Sequence, residues 1–450
     1  DNIWVNSDEI ANNGKDDDKN GYIDDIHGWN FLGGRAEATP EQYEVTRLYK
    51  RLNPKYANKS EAQITSKDKE EYIYYLKVKK DFEKGSKEAI KNYELHKNGK
   101  KLIVDADTKA IKKLNKQVYT LEDLKTLDSA DVAPLITVLT TGSTIAESKD
   151  QIDAGLEVFG PQVNQYYNLD FNGRTTGDDA YNIKDAPYGN QYLTGSLTDE
   201  IHGTHVSGIA LATRNNGKGM NGVANNVKLL AVRTVPGGDE HDKDIALAIR
   251  YAVDNGAKVI NMSFGKGYSP NKEWVYEAFK YAASKDVLLV KAAGNDGMNI
   301  DKNDNFPTDA YDNVNEYVDN VITVGAITPQ FDENLVSSFS NYGKLNVDIF
   351  APGTAIYSTV PKSKYKSQQG TSMASPEVAG VAALVRSYYP QLSASQVKHV
   401  LMNSGIKVNF DVILPKSEGK KVPFSDLSVS GRVLNAYNAL KMADQMVNSK

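Results

Sequence analysis

Residues 245–264 read IALAIRYAVDNGAKVINMSF. Ile245, Ala248, Ile249, Ala252 and Val253 recur at the three- and four-residue spacing of one helix face, and Gly256 supplies a left-handed stop. Directly after it, Lys258–Phe264 is a short run with Val and Ile, too short for a helix and bounded by glycine. A stripe that closes on glycine and feeds such a run is the helix–strand half of a βαβ unit.

The same alternation extends in both directions. Val227–Val235 precedes this helix, and Val287–Val290, Val321–Ala326 and Val347–Phe350 follow it, with amphipathic stretches between several of them. Nearly continuous apolar strands separated by helices predict an α/β fold, a parallel sheet covered on both faces. In such sheets chemistry gathers in the loops beyond the carboxyl ends of the strands. Two further blocks differ in texture. Residues 1–34 are rich in Asp, Asn and Gly and read as loop. Residues 35 to about 165 are Lys/Glu-rich and helical in pattern, with Tyr72, Tyr75, Leu76 and Phe82 on one stripe and Ile111, Leu114 and Val118 on another. Gly85 is expected to end one helix there, and Thr120 with Asp123 to cap another. The block from 166 to 450 carries the sheet.

The 450 residues hold 53 basic and 58 acidic side chains, a net charge of −5 that argues against nucleic acid as the main partner. No apolar run reaches the roughly 20 residues of a membrane-spanning helix. The chain has no cysteine, which removes disulfides, thiolate metal sites and thiol nucleophiles together.

Three motifs fall at strand ends or helix starts. Gly370-Thr371-Ser372-Met373-Ala374-Ser375-Pro376 opens a helical run. A serine there has its backbone N–H and the helix dipole directed at any negative charge its attack creates, although Thr371 or Ser372 as a plain N-cap is the commoner role for such residues. His202-Gly203-Thr204-His205-Val206-Ser207-Gly208 places two of the six histidines in one Gly-flanked turn. One suits a general base; as an isolated i,i+3 pair they make a weak zinc site, and His205 reads as packed core. Ala292-Ala293-Gly294-Asn295 follows a strand, so Asn295 is either turn chemistry or a donor to an oxyanion.

Together these resemble the subtilase family of serine proteases. The histidine segment matches H-G-T-H-V-[AS]-G and the serine segment G-T-S-M-A-x-P, while Ile260–Gly265 and Ala292–Asn295 match the family's substrate strand and oxyanion segment. The resemblance spans about 166–450 and implies a three-layer α/β/α fold. Residues 1–34 resemble a segment of larger bacterial members, and 35–165 look like a mostly helical insertion. By resemblance, Ser372 is the nucleophile, His202 the general base and acid, and Asn295 the oxyanion donor. Ser263, Phe264 and Gly265 pair with an extended polypeptide substrate. Ala292, Ala293 and Gly294 line the pocket for the residue before the scissile bond, with room for a bulky apolar group. An extracytoplasmic monomer is the accompanying expectation.

The family's triad Asp lies in a D-[ST]-G segment, and no such segment occurs here. Asp105 and Asp107, in Leu102–Thr108, imitate it but lack the glycine and read as structural; Asp199 reads as a turn cap. The acid is expected in sequence upstream of Asp1, where the absence of an initiator Met marks the chain as N-terminally incomplete. Subtilisin, the type example of this chemistry, loses about 3 × 10⁴-fold in kcat without its Asp, so the chain alone is expected to be impaired. A catalytically dead peptide-binding module is the alternative. No cofactor is expected for catalysis. Asp16, Asp18, Asn20, the Tyr22 carbonyl and Asp24 fall at the positions of an early calcium loop, with His27 where an EF-hand has Glu. A structural calcium ion is therefore expected there, against the plainer reading of a solvated acidic turn.

Overall fold

The computed structural model describes residues 2–34, 39–194 and 200–448. The chain divides into two compact units, one of residues 1–39 and 174–450, the other of residues 40–173.

The unit of residues 40–173 is helical: α1 (Glu44–Tyr56), α2 (Lys69–Leu114), α3 (Leu121–Lys125), α4 (Ser129–Thr140) and α5 (Ile145–Pro161). Tyr72, Tyr75, Val78 and Phe82 form the buried stripe of α2; Leu52 and Tyr56 of α1 pack with the two tyrosines. Further along, Ile103, Ala106 and Ala110 pack with Leu124, Val132 and Leu135. Leu76 falls outside the stripe and is exposed. Thr120 and Asp123 form the expected capping box, each side chain taking the other's backbone N–H.

Gly85 does not end a helix: α2 runs through it for 46 residues. The residue is there for closeness, since a methyl group on Gly85 would stand 2.1 Å from the Tyr167 hydroxyl. The true stop is Asn115, in the left-handed conformation at φ 52°, which leaves Val118 beyond the helix and exposed. Asp107, within α2, accepts hydrogen bonds from Tyr119 and Lys149, the structural role its sequence context suggested.

The other unit is built on a six-stranded sheet. Strands β3 (Val259–Met262), β4 (Leu288–Ala292), β5 (Val321–Ile327) and β6 (Ile349–Pro352) pair in parallel in that order. β12 (Arg432–Val433) pairs parallel to β6, and β9 (Ile406–Lys407) closes the edge antiparallel to β12. Smaller pairs are parallel β1 (Gly28–Asn30) with β2 (Ala231–Arg233), and antiparallel β7 (Ile356–Val360) with β8 (Lys364–Gln368) and β10 (Asp411–Ile413) with β11 (Lys421–Pro423). Helices α6 (Ile201–Leu211), α7 (Asp242–Asp254), α8 (Lys272–Ser284), α9 (Thr371–Tyr388), α10 (Ala394–Ser404) and α11 (Ala436–Asn448) complete it.

Side chains alternate along a strand, so each strand feeds both faces. Leu288, Val290, Ile322, Val324 and Ile349 pack under α9, α10 and α11. Met262, Leu289 and Val321 pack under α7 and α8. This is a three-layer α/β/α architecture. Gly256 has φ 82° and carries the chain from α7 into β3, as the pattern of residues 245–264 predicted.

Candidate active site

α9 packs against β3 and β4, and its first residues follow Gly370. Gly370 precedes the helix at φ 150° and ψ 162°, a conformation closed to residues with a Cβ. Thr371 is fully buried, and its N–H and hydroxyl both donate to Asn295 Oδ1, at 2.8 and 3.0 Å. The same hydroxyl accepts the Gly294 N–H at 3.0 Å. With its oxygen fixed in this way, the Asn295 carboxamide turns its NH₂ outward.

A methyl built on Gly370 would lie 3.4 Å from Asn295 Nδ2, 3.6 Å from Asn295 Oδ1 and 3.7 Å from the Ser372 backbone nitrogen, so the carboxamide and that N–H are neighbours. Neither Thr371 nor Ser372 is the N-cap; Gly370 occupies that place. The Ser372 hydroxyl, half-buried, is 3.3 Å from the Ser263 carbonyl. In return Ser263 Oγ donates to the Ser372 carbonyl at 2.8 Å. Asn261 ties the pair down, donating to Ser263 Oγ at 2.9 Å and accepting from Ser375 Oγ at 2.8 Å.

His202 lies in the first turn of α6, its side chain in contact with solvent. Met373, the residue after Ser372, packs with Val206 and Ile209 of α6, so the helix starts carrying His202 and Ser372 are neighbours. Desolvation by the surrounding protein, then the charge of His205, hold the His202 pKa below the usual imidazole value. Among the described residues no carboxylate bonds to His202. Asp199 lies outside the described residues. His205 is fully buried and its Nε2 is 2.9 Å from the Lys366 carbonyl, the packed role its position suggested. Ser358 and Thr359 of β7 donate to the carbonyls of His205 and Thr204, strapping that turn of α6.

The profile of the subtilase family matches residues 132–431. This chain belongs to the subtilase family. The thermophilic serine proteinase of Bacillus sp. strain AK1 is 45% identical over 187 residues, 41% of this chain and 42% of that protein. Thermitase of Thermoactinomyces vulgaris is 42% identical over 209 residues, 46% of this chain and 68% of the relative. The cell wall-associated protease of Bacillus subtilis strain 168 is 39% identical over 219 residues, 48% of this chain and 22% of the relative. The chain thus spans less than half of two of these relatives.

In this subtilase the residues expected at the substrate divide in a way the sequence did not signal. Gly265 is exposed and Gly294 half-buried, while Phe264 packs partly against the core under α7 and α8. Ala293 departs from expectation: its side chain is fully buried with Ile327, Val347 and Phe350 rather than lining a pocket. Alternation along the strand explains this, since Ala293 points to the opposite face from Ala292. Its carbonyl instead accepts from Asn305 and Asn341, neither of which the motifs marked for such a role.

The acidic loop also differs from expectation. Carboxylate oxygens of Glu9, Asp16 and Asp18 lie within 4.8 Å of one another. Asp24 does not join them; its buried carboxylate lies on the Asn13 and Gly14 amides instead. Asn20 Oδ1 is taken by the Tyr22 N–H. No described helix is long and apolar enough to cross a membrane.

Proposed function

We propose that this subtilase is a serine endopeptidase, with Ser372 as nucleophile, His202 as general base and acid, and Asn295 with the Ser372 N–H as oxyanion donors. Ser372 Oγ attacks the scissile carbonyl carbon while its proton passes to His202. The carbonyl oxygen becomes an anion between Asn295 Nδ2 and the Ser372 N–H. His202 returns the proton to the departing amine, leaving an acyl ester on Ser372. Water, deprotonated by His202, then releases the acid and restores the hydroxyl. Ser263, Phe264 and Gly265 present backbone groups to an extended polypeptide, with the exposed Gly265 keeping that edge open.

The observation that carries this reading is the bonding of Asn295 to Thr371, the residue before Ser372, which sets the Asn295 carboxamide beside the Ser372 N–H. The test is labelling with a fluorophosphonate, which needs an activated serine and an oxyanion site together. Ser372 is expected to be modified, and the label to be lost in Ser372→Ala and His202→Ala. A folded protein that binds extended peptides but leaves Ser372 unlabelled is a peptide-binding module, and the absence of a described carboxylate on His202 makes that the second reading. Without a carboxylate on His202, turnover by this chain is expected to be impaired.

Within this proposal residues 1–34 and 166–450 form the peptidase domain and 35–165 an insertion, close to the division into compact units. The protein acts as a monomer and outside the cytoplasm, the latter in keeping with the name of its cell wall-associated relative. Glu9, Asp16 and Asp18 suit a hard cation such as calcium, with oxygen ligands only. EGTA is expected to lower the melting temperature; an unchanged value removes the ion from the account.

A further inference from the structure

The long helix α2 buries one face through Tyr75, Phe82 and Ala89. On the opposite face, positions 73, 76, 80, 84, 87, 91, 95, 98 and 102 follow one another at three- and four-residue steps, so they form one row along the helix. Every residue in that row is exposed, and none is acidic. Its middle is Lys80, Lys84, Lys87 and Lys91. Its ends are aliphatic: Ile73 and Leu76 on one side, Leu95 and Leu102 on the other, each 46–65% exposed.

Other lysines of this helical unit have partners. Lys100 reaches Asp153 at 2.7 Å, Lys149 reaches Asp107 at 2.5 Å, and Lys109 and Lys113 share Asp131. The four lysines of the row make no ion pair with any described residue. Of the glutamates beside the row, Glu83 faces Lys79 at 3.9 Å and Glu94 faces Lys97 at 3.3 Å, which leaves Glu88 against four ammonium groups. Cations at this spacing repel one another. The fold keeps them together over roughly 16 Å of helix and sets uncovered aliphatic groups at both ends.

That pattern matches a plane that is anionic at its surface and apolar just beneath. Ammonium groups sit at the level of the phosphates, and aliphatic side chains enter the boundary of the acyl chains. A soluble polyanion would satisfy the lysines alone and leave the four aliphatic side chains in water. We propose that this face of α2 docks the protein on an anionic lipid membrane. The proposal is independent of the endopeptidase reading, since it uses no residue of the Ser372 site.

The test is flotation of the full chain with vesicles of phosphatidylcholine, alone or mixed with phosphatidylglycerol. The protein is expected to float with the mixed vesicles only, and to be released by high salt. The combined variant Lys80→Gln, Lys84→Gln, Lys87→Gln, Lys91→Gln should weaken that partitioning by about tenfold or more. Lys109→Gln with Lys113→Gln should leave it in place. Leu95→Ser with Leu102→Ser should also weaken it, which a purely ionic contact would not. All the lysines and leucines altered here are exposed, and circular dichroism is expected to show the helix content of the unaltered chain. A chain that stays behind when the mixed vesicles float, or a four-lysine variant that floats as well as the original, overturns the proposal. So does unchanged flotation of the two-leucine variant, which would assign the lysines to a soluble polyanion; inorganic polyphosphate should then bind the unaltered chain without lipid.

Discussion

In the helical unit, Lys109 and Lys113 reach Asp131 at 2.7 and 2.6 Å, with all three side chains in contact with water. Lys243, on α7 of the sheet-bearing unit, is wholly buried, and Asp178 and the carbonyls of Asp179 and Asp185 surround its ammonium. Arg174 bridges Asp178 and Asp244 beside it. Lys291, in the middle of β4, is also buried, and loss of hydration brings its pKa down to about 8 despite Asp309 and Asp348 nearby. The helical unit keeps most of its charge outside and fills its interior with tyrosine and aliphatic groups, the buried Glu44–Arg47 pair being an exception. Exposed pairs contribute little; buried charges are costly unless every one is met. A Lys/Glu-rich texture therefore marks where solvent is. The polar groups that fix geometry lie in the unit whose sequence looks most apolar.

Substitutions in the two units should separate accordingly. The largest effect is expected at Asn295→Ala, which removes one oxyanion donor and should lower kcat by about 10²–10³ with little change in KM. Thr371→Val should lose part of that, since it removes one of the two donors to Asn295 Oδ1, and Thr371→Ser should restore it. An unchanged kcat in Asn295→Ala would separate the carboxamide from catalysis. Next comes Asp348→Ala. Its buried carboxylate takes the Thr323 N–H at 2.7 Å and faces Lys398 at 3.5 Å, so its removal should cost about 3 kcal/mol by denaturant titration.

Glu377, on α9, gives an effect with a sign. Burial alone pushes its carboxyl pKa up to about 7. Between the unfolded carboxylate value and 7, the folded state holds more protons than the unfolded one, so this group's contribution falls as pH rises through that window. Glu377→Gln should thus stabilise the protein at pH 8, on the order of 2 kcal/mol, and change little near pH 4. Equal shifts in melting temperature at both pH values would break the argument.

The smallest effect belongs to the helical unit. Alanine favours a helix interior over glycine by about 1 kcal/mol, yet Gly85→Ala drives its methyl into the Tyr167 hydroxyl. The substitution should destabilise the natural protein slightly and stabilise a Tyr167→Ala background. Additive melting temperatures would show that the close approach does not limit this helix.

How much of this was legible in the chain varied with the range of the interaction. The order of strands and helices from residue 227 to 350 was readable because alternation, stripe and glycine stop are local signals, as in residues 245–264. Thr120 with Asp123 was readable for the same reason. Gly85 misled because a glycine that stops a helix and one that admits a tyrosine from 82 residues away look alike in sequence. Ala293 misled because its smallness serves the core under β5 and β6. Asp24 misled because spacing alone cannot tell that its carboxylate turns to the Asn13 and Gly14 amides and away from Glu9, Asp16 and Asp18.

The sequence by itself determined the succession of elements and singled out His202, Asn295 and Ser372, since short motifs and periodicity are written into neighbouring residues. Only the tertiary structure decided what holds Asn295 and Ser372 in place: Thr371 against Asn295, Ser375 against Asn261 and Ser263 against Ser372. These contacts join residues 76 to 114 positions apart. Side-chain hydrogen bonds over such distances impose no repeat and no composition, and they exist only once the sheet has brought the strand ends together.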